Sequence, residues 1–179
     1  MSTFDPIVEI SKIRETPCPS FERTVVDKDI RADVIARTLS PLGWHLVGQA
    51  NLDAAEELVA SRVKLRFEDP IRSLFAHAWE LNLKACLRRQ GLTAEEVRKQ
   101  FGHDLLALWD AVDRSQFPLL QLRNELRGFV EPLAFYHRNR LYAYPIRGIR
   151  NEHSLSYVRA TSARFRLSPA AAIETFGSP

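Results

Sequence analysis

The stretch Asp69–Asp110, DPIRSLFAHAWELNLKACLRRQGLTAEEVRKQFGHDLLALWD, decides the fold. Asp69 is a favoured helix N-cap, and Pro70 suits the first helical position, where its missing N–H would have had no partner anyway. A helix is predicted from here to Gly91, whose freedom at positive φ suits the residue just past a helix end. Ile71, Leu74, Phe75, Ala78, Leu81, Ala85 and Cys86 recur at three- and four-residue steps, and Trp79, Leu83 and Leu87 widen the apolar arc. A helix apolar over so broad an arc is central. Thr93-Ala94-Glu95-Glu96 reads as a capping box for a short helix. Gly102-His103-Asp104 ends that helix and starts another, lined by Leu105, Leu108, Trp109 and Val112.

Four polar residues interrupt this apolar unit: Glu80, Lys84, His103 and Asp104. Glu80 and Lys84 stand at i and i+4 in the stabilising order. On so broad an apolar arc a charge becomes partly buried, and a buried charge costs several kcal/mol unless paired and hydrogen-bonded. The expectation is a structural network joining Glu80 and Lys84 to His103 or Asp104.

His77-Ala78-Trp79-Glu80-Leu81-Asn82-Leu83-Lys84-Ala85, a glycine turn, then Phe101-Gly102-His103-Asp104-Leu105-Leu106 resembles the HEPN (higher eukaryotes and prokaryotes nucleotide-binding) family. The shared pattern is loosely HA-x-EL-x-LKA-x-L, a glycine and GHDL-x-x-L, over about a quarter of the chain. The resemblance implies an all-α bundle of four or five helices, usually homodimeric. Some members are metal-independent endoribonucleases whose site, completed across the dimer, pairs an Arg with a His four to six residues later near the start of a late helix. Others bind nucleotides or nucleic acid, or act as partner modules in toxin–antitoxin and defence systems.

Three pairs meet the bare ribonuclease spacing: Arg72 with His77, Arg98 with His103, and Arg147 with His153. Only Arg147 and His153 sit late enough to match the family's catalytic pair, although Gly148 stands where a polar residue is usual and Tyr144-Pro145 precedes. A His to take the 2'-hydroxyl proton and an Arg to stabilise the phosphorane are the residue types that metal-free RNA cleavage requires.

Outward from the central unit, residues 1–40 read as an N-terminal arm, with a short strand at Ile7–Ile10, an extended Pro17-Cys18-Pro19 and a short helix from Asp29 to Leu39. Residues 41–137 form the helical core. Ser40-Pro41 opens its first helix, through Trp44, Val47, Leu52, Ala55 and Val59. Pro118 opens another, with a seam of Leu119, Leu122, Leu126, Phe129, Leu133 and Tyr136 that either packs on the central helix or serves a dimer interface. Pro132 is expected to kink or end that helix. Residues 138–179 form a basic segment. From Leu119 onward nine Arg face four Glu, with no Lys or Asp, a net of +5 against +3 for the whole chain.

Arg forks pair with phosphate and aromatic faces stack on unpaired bases, so Arg138, Arg140, Tyr142, Tyr144, Arg150 and Tyr157 are the candidate nucleic-acid contacts. Leu141–Ile146 and Ala163–Leu167 have strand-like composition and suggest a small hairpin, and Ser168-Pro169 caps a last short helix.

Other chemistries find little support. Cys18 and Cys86 give neither a disulfide framework nor ligand spacing, the histidines are scattered and no glycine-rich phosphate loop occurs, so no metal or cofactor is expected. The chain has no apolar run of membrane-spanning length and begins without a signal-like segment, so the expectation is a cytoplasmic protein without membrane contact. Three readings stay open: a non-catalytic RNA- or nucleotide-binding homodimer, a metal-independent endoribonuclease using Arg147 and His153, and a module that binds a protein partner.

Overall fold

The computed structural model describes residues 40–61, 68–142 and 152–177. They form a mainly α structure of seven α-helices, with no strand among the described residues: α1 (Pro41–Ala60), α2 (Asp69–Arg89), α3 (Ala94–Phe101), α4 (Leu105–Ala111), α5 (Arg127–Arg138), α6 (Leu155–Ser162) and α7 (Pro169–Phe176). The described residues belong to one compact unit of the chain, Val34–Pro179, and the expected arm lies outside them apart from Ser40. No helix among the described residues is long and apolar enough to cross a membrane.

Helix α2 contacts every other α-helix described, which is what its broad apolar arc demands. Trp79 sits at its centre, fully buried, with rings of Trp109, Phe129 and Phe165 at 6.1, 5.1 and 4.7 Å and its Nε1 donating to Ser162 Oγ at 2.9 Å. Burying an indole this way satisfies its one polar atom while its faces pack on neighbouring rings. Helix α1 lies along α2, antiparallel because the connection between them is short. The approach is close at Gly48, where an added Cβ would fall 2.5 Å from Asn82 Nδ2. The freed space lets buried His45 place its Nδ1 2.7 Å from Asn82 Oδ1.

The punctuation read from the sequence recurs as geometry. Ser40 caps α1, Thr93 and Glu96 form the capping box of α3, Asp104 caps α4 and Ser168 caps α7. Gly91 and Gly102 take φ of 102° and 52°, the left-handed region that favours glycine. Helix α2 begins at Asp69 itself, one residue before the expected first helical position, with Glu68 before it.

Three expectations are corrected. The segment after Pro118 is not yet α-helical: three 3-10 turns, Arg114–Gln116, Pro118–Leu120 and Asn124–Leu126, precede α5, so Leu119 is exposed while Leu122, Leu126, Phe129, Leu133 and Tyr136 are buried. Pro132 does not end α5, which continues to Arg138. A proline leaves the carbonyl four residues earlier without its helical donor. Here that carbonyl, Gly128 O, lies 3.3 Å from His153 Nε2, which supplies a donor from another segment. Finally, Ala163–Phe165 is a 3-10 turn and not a strand, with Phe165 driven into the Trp79 cluster. Of the other expected strand, Leu141–Ile146, Leu141 and Tyr142 are in a turn and residues 143–146 lie outside the described residues.

Candidate functional site

His77, Glu80 and Lys84 occupy successive turns on one face of α2. Glu80 is 1% exposed, yet it carries a full set of hydrogen-bond partners. Its Oε1 accepts from Lys84 Nζ at 2.5 Å and from His103 Nδ1 at 3.0 Å. Its Oε2 accepts from His137 Nε2 at 2.6 Å, and His77 Nδ1 stands 3.8 Å away. His103 reaches in from the Gly102 turn between α3 and α4, and His137 from the last turn of α5, so one carboxylate ties three segments together.

Burial by itself would raise the Glu80 carboxyl, but the hydrogen bonds from His137, His77 and Lys84, with the charge of Lys84, outweigh it and hold the group far below its ordinary range. Glu80 is therefore ionised at neutral pH inside the fold. The His103 ring, bonded to Glu80 through Nδ1, is otherwise largely exposed, its side chain 70% accessible. It borders a groove of about 380 Å³ whose rim also carries Arg98, Lys99, Asp104 and Arg138. A larger cleft of about 780 Å³ between α1 and α6 has the Glu56–Arg159 ion pair on its rim and no comparable cluster of titratable groups.

The network thus unites three of the four expected residues. Asp104 stands apart from Glu80: its Oδ1 accepts from Ala107 N at 3.1 Å as the α4 cap, and its Oδ2 from Arg138 Nη1 at 3.1 Å. A favoured N-cap residue is used as a cap. His77 and His137 were missed. His77 stood in the quoted pattern one turn before Glu80, a readable signal, whereas His137 lies 57 positions from Glu80 and no local spacing announces it.

The expected nucleic-acid contacts do not form one patch. Arg138 and Arg140 are exposed at the C-terminal end of α5. Tyr157 packs edge-on to Phe129 at 5.6 Å and to His153 at 5.1 Å, near the opposite end of that helix, about 14 Å away by helical rise. Tyr142 is corrected: it is buried, stacked on Tyr136 at 5.6 Å, and burial, aided by Glu152, pushes its phenol upward. No base can stack on it. Tyr144, Arg150 and Arg147 lie outside the described residues. His153 is stacked on Phe129 at 5.2 Å besides its contact with Gly128 O.

An unexpected second polar centre surrounds buried Arg72, which pairs with Glu68 at 2.8 Å and Glu152 at 3.3 Å and donates to His153 O at 2.7 Å. It fixes the start of α2 to the segment entering α6. Comparison with protein-family models, curated proteins and solved structures finds no match to the chain.

Proposed function

We propose that the chain is a HEPN-like homodimeric module that binds RNA or a nucleotide in the groove beside Glu80, with no catalytic step required. The observation that carries this reading is the meeting of Arg98, Lys99, His103 and Arg138 on one groove rim, with His103 steadied from below by a buried carboxylate. Guanidinium forks and an ammonium are phosphate-binding groups. Their present partners are surface acids, Glu95 for Lys99 and Asp104 for Arg138, in exposed pairs of the kind that contribute little and exchange readily for phosphate. The homodimer rests on the family resemblance, as does the toxin–antitoxin or defence setting.

Labelled single-stranded RNA incubated with the protein in EDTA tests it. A retarded, intact band that weakens as salt rises supports binding, and its loss in Arg98→Ala/Arg138→Ala places binding at the groove. Absence of retardation overturns the reading. Cleavage abolished by His153→Ala would favour the endoribonuclease that pairs Arg147 with His153. A stoichiometric co-purifying protein without any RNA shift would favour a partner module; Phe129, Leu133 and Tyr136 are buried within this chain, so such a partner would need another face.

A further inference from the structure

We propose that His77, Glu80 and His137 form a binding site for one divalent cation of the zinc class. One ligand atom from each of the three lies within 4.8 Å of the others. The two oxygens of Glu80 are unequally engaged: Oε1 is held by Lys84 and His103, whereas Oε2 faces His137 Nε2 at 2.6 Å, His77 Nδ1 at 3.8 Å and, more weakly than Oε1 does, His103 Nδ1 at 3.2 Å. With bonds near 2.1 Å, ligand atoms in a tetrahedral site stand about 3.4 Å apart, a spacing that these two separations bracket. Small adjustments of the two rings open the place for an ion.

The ion takes the place of the hydrogen between His137 Nε2 and Oε2: a neutral ring moves its one proton to Nδ1, and a protonated ring releases the Nε2 proton and keeps the other on Nδ1. Lys84 then serves as the outer hydrogen bond that orients a ligating carboxylate, in the way metal sites ordinarily use their surroundings. Its ammonium also opposes the cation, so the site is tuned to moderate affinity. Two imidazoles and one carboxylate select zinc, cobalt or nickel over magnesium or calcium. The half-exposed His77 marks the open side, where a water completes four-coordination. Protons compete with the ion for the two imidazole nitrogens, so affinity falls as pH falls. This inference does not depend on RNA binding, which is assayed in EDTA.

The test is calorimetric titration of the full chain with zinc chloride, together with the visible absorption of added cobalt, which reports four-coordinate ligation directly. The wild type should take up one equivalent. His77→Ala, which leaves every hydrogen bond shorter than 3.5 Å to Glu80 in place, should weaken uptake by about tenfold or more, with the metal-free melting curve shifted far less than in Glu80→Gln. His137→Gln, checked for folding by circular dichroism, should abolish the cobalt spectrum. No uptake by the wild type, or uptake unchanged in both variants, overturns the proposal.

Discussion

At the scale of single residues, the position of Glu80 sets what each neighbour is worth. A carboxylate 1% exposed is tolerated because Lys84, His103 and His137 all point N–H groups at it. Glu80→Gln keeps the shape but turns an acceptor oxygen into a donor NH₂ facing other donors, and should cost about 3 kcal/mol in chemical denaturation at neutral pH. The Glu80 carboxyl lies below its ordinary 4.5 in the folded state, so its stabilisation is complete above that pH and is lost as pH falls further. Wild type and Glu80→Gln should therefore converge in stability in acid; a gap that widens there would contradict the assignment. His153 supports a second residue-scale prediction. If its Nε2–H serves the Gly128 carbonyl left bare by Pro132, His153→Ala should cost about 1 kcal/mol alone and much less in a Pro132→Ala background, where a backbone N–H returns. Equal costs in the two backgrounds would remove the explanation of how α5 accommodates its proline.

At the scale of elements, the α1–α2 contact is the most exacting. Gly48→Ala pushes a methyl group into Asn82 and should destabilise by about 2 kcal/mol, read from the urea midpoint. His45, 0% exposed and stacked 4.6 Å from Phe176, is held below the ordinary histidine value by burial, only partly offset by its bond to Asn82. Neutral His45 belongs to the folded state, so protonation in the unfolded chain draws stability away as pH falls below about 6.5. His45→Leu should flatten that part of the stability–pH curve. The element level also shows where sequence reading works. Ser40-Pro41, Thr93 to Glu96, Gly102 and Ser168-Pro169 act through bonds spanning three or four residues, and each boundary they announce is present. The α5 region was harder to read because apolar residues at three- and four-residue steps can also be buried by short 3-10 turns and the links between them, as Leu122 and Leu126 are. Pro132 misled for a related reason: its missing N–H is answered by His153, 25 residues away in a different segment.

At the scale of the whole molecule, four of the arginines described in the C-terminal third pair with acids of earlier elements, Arg127 with Asp110 and Arg138 with Asp104 among them. Arg159 pairs with Glu56 at 2.6 Å and Arg166 with Asp53 at 2.7 Å, both on α1. Composition alone located the charge and could not show these partners, so a basic tail looked freer for RNA than its folded arrangement leaves it. Arg159→Ala/Arg166→Ala should consequently change RNA affinity less than Arg98→Ala/Arg138→Ala, in fluorescence anisotropy at several salt concentrations. Equal losses would indicate diffuse attraction in place of a groove. Three of the five residues of the site were legible for the same physical reason. Glu80, Lys84 and His103 break an apolar pattern within one helical unit, whereas His137 arrives through tertiary packing of α5 on α2.

The hub at Glu80 is open to direct observation by nitrogen-15 NMR of the histidine side chains. Hydrogen-bonded ring N–H protons at His103 Nδ1 and His137 Nε2 should be slow to exchange with solvent in the wild type, and both should be lost or strongly shifted in Glu80→Gln. Histidine spectra indifferent to that substitution would mean that the carboxylate does not join these segments.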